Sequence, residues 1–80
     1  MQEAERVQAE IQKVIGDDPT IRNANHIIVS VERKGFLQGR KERIVLKGHV
    51  DSENEKAKIE KVASLHAAGR EVVDEITVVH

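Results

Sequence analysis

Residues 43–63, Arg-Ile-Val-Leu-Lys-Gly-His-Val-Asp-Ser-Glu-Asn-Glu-Lys-Ala-Lys-Ile-Glu-Lys-Val-Ala, carry a strand into a helix with no linker between them. Ile44, Leu46 and Gly48 alternate on one face of the strand. Ser52 and Glu55 form a capping box, in which the Ser hydroxyl accepts from a first-turn N–H and the Glu carboxylate reaches back to the cap. Glu53 and Glu55 also suit the positive end of the helix dipole. Ile59, Val62, Ala63 and His66 then make one stripe, with Leu65 beside it. The junction fixes where a strand ends, where a helix begins and which face of each is buried. It holds no nucleophile, metal cage or phosphate loop, so it bears on scaffold and binding rather than on chemistry.

The remaining elements fall into place around it. Val7, Ile11, Val14 and Ile15 recur at helical spacing over residues 3–15, with Gly16 as a C-cap candidate and Asp18-Pro19 as a stop. Residues 17–25 are turn chemistry around one apolar anchor, Ile21. Residues 26–33 form a strand with Ile27, Val29 and Val31 on one face. Setting Val29 opposite Leu46 also sets Val31 opposite Ile44 and Ile27 opposite Gly48, so every apolar alternant shares a face. A glycine at position 48 then lets the second helix lie close. Lys34–Glu42 make a long hairpin loop bracketed by Gly35 and Gly39. Gly69 can end the second helix, and residues 71–79 give a last strand with Ile76 and Val78 facing inward.

The expected fold is α+β: a two-layer sandwich of order α-β-β-α-β, with two helices on one face of a three-stranded mixed sheet. The place of the last strand in the sheet stays open. The second helix is a crossover, right-handed if the strands that it joins are parallel. Eighty residues make a single domain, 1–80, whose thin core buries only about 60% of the unfolded chain's surface. With no cysteine there is no disulfide or thiolate metal site, and Phe36 is the only aromatic side chain of the Phe, Trp and Tyr class. A net charge of -1 gives no general reason to expect nucleic acid or membrane binding, which leaves local patches. No apolar run approaches the roughly 20 residues that span a bilayer. The charged start, Met1 to Arg6, is helical in character and unlike a signal peptide. Two settings follow: cytoplasmic for a complete chain, and periplasm or cell envelope for a domain of a longer exported one.

The junction Leu46-Lys47-Gly48-His49-Val50-Asp51-Ser52 resembles the core signature of the BON domain (bacterial osmotically induced and nodulation domain). That family shows a Leu-x-Gly-x-Val strand end, a Ser or Thr a step later, and a helix with an apolar-Ala pair, here Val62-Ala63. Val72 to Val78 resembles its closing strand, Gly16 to Ile21 the linker after its first helix, and Ile27-Val29-Val31 its first strand. The resemblance spans nearly the whole chain. The Gly-Val that usually precedes the last strand is replaced by Ala68-Gly69-Arg70, and the hairpin at 33–43 is longer and more charged than the usual tight turn. The resemblance implies a non-catalytic module of the kind found in envelope, stress-response, channel and regulatory proteins. It also implies contact with phospholipid.

The hairpin is the best candidate site. Arg33, Lys34, Arg40, Lys41 and Arg43 surround Phe36-Leu37. A basic collar at anionic head groups with an apolar tip in the interface suits a membrane surface, each Lys or Arg contributing about 1 kcal/mol. The same collar suits nucleic-acid phosphates, but one aromatic side chain is a poor stacking platform. The bland alternative is a solvated loop in which Phe36 and Leu37 fold back on the core and Glu32 and Glu42 offset the basic charge.

Other constellations carry less. His26 and His49 lie opposite each other on the outer sheet face, but a zinc site needs three or four ligands and nothing completes the set. His66 has no nucleophile or orienting carboxylate for general-base work. Asp17-Asp18 lack calcium-loop spacing and form a turn. Gly35 to Gly39 joins two strands, whereas a phosphate loop leads into a helix. No catalytic, cofactor or metal set emerges, and the structural roles fall to Gly48, Ser52, Glu55 and Gly69. The leading expectation is an anionic-phospholipid or envelope-associated binding module. The alternative is a protein-interaction or regulatory module that self-associates, or serves a larger chain, through the outer sheet face, where Ile28, Val45, Val73 and Val79 make a less polar patch.

Overall fold

A computed structural model describes residues 3–34 and 41–79, with the side chains of Lys34 and Lys41 left out. Helix α1 spans Glu3–Asp17, strand β1 Ile27–Lys34, strand β2 Lys41–Val50, helix α2 Glu53–His66 and strand β3 Glu71–Val78. A 3-10 turn at Ala24–His26 leads into β1. The architecture is the expected one, with the strand order β1-β2-β3. β1 and β2 are antiparallel, in the register that the hydrophobic pattern demands: Val29 opposite Leu46, Val31 opposite Ile44, Ile27 opposite Gly48. β2 and β3 are parallel, so α2 is their crossover.

The core lies between the helices and the inner sheet face. Val7, Ile11 and Ile15 from α1 meet Ile27 and Val29, Ile44 and Leu46, Ile76, and Ile59, Ala63 and Ala67 at the α2 side. The aliphatic composition accounts for this: with so few aromatic rings, close packing comes from interleaved β-branched and Leu side chains. Leu65 is largely exposed, beyond the edge of the α2 stripe.

Local details depart from expectation in ways that have physical causes. Gly16 is not a C-cap. The helix runs through it to Asp17, and its φ is not among the positive ones. The stop is Asp18-Pro19, where the Asp18 carboxylate accepts from the Thr20 backbone N–H at 2.9 Å and hydroxyl at 2.6 Å. Those two hydrogen bonds hold the Asp18 carboxyl below the usual aspartate range. The hairpin is tighter than Lys34–Glu42, because the ladder continues to a Lys34–Lys41 pair. The helix α2 ends with Ala67 as its C-cap, and both Ala68 (φ 56) and Gly69 (φ 83) take positive φ.

Gly48 is required for a different reason from helix proximity. Its φ is +131, and a Cβ there would sit 1.9 Å from the His26 carbonyl oxygen. The constraint comes from the backbone of the turn that leads into β1, at His26.

The two sheet edges differ. Gln12 on α1 donates its side-chain N–H to the Ile27 carbonyl at 3.0 Å and accepts the Val29 N–H at 3.0 Å, while Gln8 donates to the Val29 carbonyl at 2.8 Å. These two amides take the place of another strand at the first half of the β1 edge, at Ile27 and Val29. β3 has no such cover among the described residues.

Candidate functional site

The basic residues around the hairpin divide between the two faces of the sheet. Alternation turns Arg33 toward the helices with Val29 and Val31, and turns Arg43 to the outer face with Val45. Arg33 is ion-paired with Glu5 of α1, and its Nε lies 3.3 Å from Glu42 Oε2. Arg70 donates to the other Glu42 oxygen, with contacts of 3.0 and 3.1 Å, and lies 3.9 Å from Glu3. The hydrogen bond from Arg33 lowers the Glu5 pKa and, in return, raises that of Arg33. Arg43 Nε lies 3.7 Å from Glu32 Oε1. Arg33 and Arg43 therefore each have a carboxylate within the fold. Phe36, Leu37 and Arg40 lie outside the described residues, and Lys34 and Lys41 are described by backbone alone. The ladder sets these two lysines directly opposite each other at its end.

On the outer face the register brings His26 and His49 together, with ring centroids 4.4 Å apart and a tilt of 30°. Both are exposed. No group of three or more His, Cys, Asp and Glu side chains is arranged to hold a metal ion among the described residues. Val45 is fully buried even though this face has no helix over it, because it sits on the central strand between Ser30 and Val73. The exposed apolar groups there are Ile28 and Val79. His66 is half-buried and, contrary to the sequence expectation, has a carboxylate beside it: its Nδ1 lies 3.4 Å from Glu10 Oε2 of α1, a partner distant in sequence that its own helix does not reveal.

A groove of about 260 Å³ separates the Thr20–Arg22 turn from the start of α2. Arg22, Lys58 and Asp51 line it, and Lys58 Nζ is 3.8 Å from Asp18. An anion entering it would meet the Asp51 carboxylate. Ser52 caps α2 as expected, its hydroxyl accepting the Glu55 N–H at 3.2 Å. Glu55 does not complete the capping box. Its carboxylate turns away and accepts from Asn23 instead, from the backbone N–H at 2.8 Å and from the side chain at 3.3 and 3.5 Å. Gly69, given the role of ending α2, shares it with Ala68.

Among the described residues no helix is long and apolar enough to cross a membrane. No curated protein matches the chain. The family model described as "BON domain" matches residues 3–80. Domains of that family are generally non-catalytic and are associated with phospholipid binding and the osmotic response. The order of elements, the Leu46-x-Gly48-x-Val50 strand end and the capped α2 agree with that match, and the chain belongs to the BON domain family.

Proposed function

We propose that this chain is a non-catalytic binding module that docks on an anionic phospholipid surface through its hairpin. The observation that carries the reading is the Lys34–Lys41 pair at the end of the β1–β2 ladder. Like charges placed opposite one another disfavour pairing in the absence of a counter-charge, and lipid phosphates supply one. Residues 35–40 lie between these lysines and include Phe36, Leu37 and Arg40. In this reading Phe36 and Leu37 enter the interface while Lys34, Arg40 and Lys41 meet head groups. Arg33 and Arg43 make a smaller contribution, since their ion pairs with Glu5, Glu42 and Glu32 already offset their charge. The family association with phospholipid supports the same reading.

Co-sedimentation with vesicles of anionic or neutral phospholipid at low salt tests it. Retention on anionic vesicles alone, lost on combining Lys34→Glu, Phe36→Ser and Lys41→Glu, is the expected result. Absence of retention, or retention untouched by the three substitutions, would overturn it.

A second reading rests on Ile28, which is 61% exposed on the uncovered sheet face, with Val79 at 50%. Exposed aliphatic groups on such a face suit self-association or a protein partner. Sedimentation equilibrium of the native chain and of Ile28→Lys separates the two readings: a concentration-dependent dimer abolished by the substitution supports the second.

A further inference from the structure

β3 is an edge strand whose free side is open among the described residues, and its polar groups specify what fits there. Val79 donates its N–H to the Val50 carbonyl at 2.8 Å. Residues of a strand turn their backbone groups alternately to its two sides. Val73, Glu75 and Thr77 therefore face β2 together with Val79, while Val72, Asp74, Ile76 and Val78 face outward. One outward donor is already taken: the Ile76 N–H is held by Asp74 Oδ1 at 2.9 Å. The outward N–H and C=O groups of Val72 and Val78 remain available to an added strand.

The charge on this edge has one sign. Glu71, Asp74 and Glu75 lie on β3, and Glu60 of α2 stands beside Asp74. None of the four has an ion pair among the described residues, in contrast to Glu5, Glu42 and Glu32; the one cation acting on Glu60 is Lys56, one turn earlier on α2, whose charge opposes the shift without cancelling it. Asp74 Oδ2 is buried and receives no hydrogen bond among the described residues. Two ionised carboxylates have no donor to place between them. A proton on Glu60 supplies one, and that hydrogen bond, with the repulsion behind it, holds the Glu60 carboxyl above the ordinary glutamate range. On the opposite sheet edge Gln8 and Gln12 already occupy the outward C=O of Ile27 and both outward groups of Val29.

We propose that the free edge of β3 accepts an extended segment of a partner protein that places a lysine or arginine opposite Asp74, between apolar residues two positions to either side. A residue directly opposite Asp74 on an added strand projects to the same face of the sheet, about 5 Å away. Its cation reaches the buried Asp74 oxygen and the Glu60 carboxyl and supplies the missing donor. Its neighbours two positions away fall opposite Val72 and Ile76, which extend the apolar inner face. An acidic residue at the central position would add a third carboxylate to the pair. The inference is independent of the lipid reading, which concerns the hairpin between β1 and β2.

The test uses the full chain, isotope-labelled, titrated at neutral pH and low salt with the capped peptide Thr-Val-Thr-Lys-Thr-Val-Thr and with its Glu-centred counterpart. The Lys peptide is expected to shift the amides of Glu71–Val79 and to slow exchange at Val72 and Val78. The Glu peptide, and the Lys peptide against Asp74→Asn or Glu60→Gln, are expected to bind about tenfold more weakly, the scale of one charge-assisted hydrogen bond. Both variants remove repulsion from a folded chain, so loss of binding cannot be ascribed to unfolding. Equal binding of the two peptides, shifts confined to the β1 edge or the outer face, or no shift at all would each overturn the proposal.

Discussion

The Glu55 carboxylate accepts the Asn23 backbone N–H at 2.8 Å, across 32 positions of sequence, and is nearly buried where it does so. This contact joins the first turn of α2 to the segment that leads into β1. It leaves the reciprocal half of the capping box unmade and uses the same side chain to satisfy a loop amide. Loops between packed elements require such partners, because an orphaned buried N–H costs about as much as a lost hydrogen bond.

Replacement of Glu55 by Ala therefore removes a long-range hydrogen bond rather than a helix cap. It leaves the Asn23 N–H without its acceptor and is expected to lower unfolding free energy by about 2 kcal/mol, within the range for hydrogen bonds to charged groups. Ser52→Ala, which removes only the cap, is expected to cost about 1 kcal/mol. Urea denaturation of the two variants checks the order. If Ser52→Ala is the more damaging, the contact with Asn23 is not what matters at Glu55.

Gly48→Ala is the most destructive single substitution expected in the sheet. It meets two independent penalties: a φ of +131 that L residues rarely adopt, and a Cβ placed 1.9 Å from the His26 carbonyl oxygen. The clashing atom belongs to backbone, so no side-chain rotation relieves it. A loss of about 4 kcal/mol or more is expected, at the exceptional end for point substitutions. Circular dichroism melts of the variant provide the check, and a melting temperature close to native would show that the turn leading into β1 can move aside at little cost.

The same two residues show where sequence reasoning reached and where it stopped. The periodicity of Ile27, Val29, Val31, Ile44 and Leu46 was enough to fix the hairpin register residue by residue, because a one-residue slip would turn every one of them to the wrong face. That register placed Gly48 opposite Ile27. Hydrophobic alternation does not report φ, so the approach of the His26 carbonyl was hidden. Polar side chains that act at long range were equally hidden. Gln8 and Gln12 occupy polar positions of α1, yet they bond the outward backbone groups of Ile27 and Val29 at the β1 edge. Their glutamine identity alone does not distinguish that role from solvation. In the candidate site, the register itself sets Arg33 opposite Glu42 and Arg43 opposite Glu32, on opposite faces of the sheet, but the pairing of Arg33 with Glu5, 28 positions away on α1, was not legible. The outer face shows the reverse case. Val45 looked exposed by alternation and is buried by its position on the central strand.

Ala68 offers a gain in stability. It takes φ 56 immediately after the α2 C-cap, a conformation that costs a residue with a Cβ about 1 kcal/mol and costs glycine little. Ala68→Gly is expected to stabilise the chain by roughly 0.5 kcal/mol, the relief of strain being partly offset by the greater freedom of glycine in the unfolded chain. An upward shift of the urea midpoint with an unchanged denaturant slope is the expected reading. A downward shift would place the unfolded-state cost above the strain.

The acid side of the stability curve has two windows with opposite signs. The hydrogen bond with Asp74 and the repulsion between the two charges hold the Glu60 carboxyl above the usual glutamate range. Its contribution is fully present below the unfolded-state pKa and is lost as pH rises through the folded one. The hydrogen bonds from Arg33 to Glu5 and from Thr20 to Asp18 hold those carboxyls below their usual range. Their contributions are present above the unfolded-state values and are lost as pH falls through the folded ones. Glu60→Gln removes the first window and leaves the second. The variant is expected to be more stable than the native chain at neutral pH, with the difference shrinking as pH falls toward the ordinary glutamate value. Below that value both chains should lose stability in parallel as Glu5 and Asp18 are protonated. Urea midpoints measured across the acid range test this. Parallel curves for the two chains throughout would mean that Glu60 and Asp74 do not share a proton, and would remove the electrostatic case for a cation at the β3 edge.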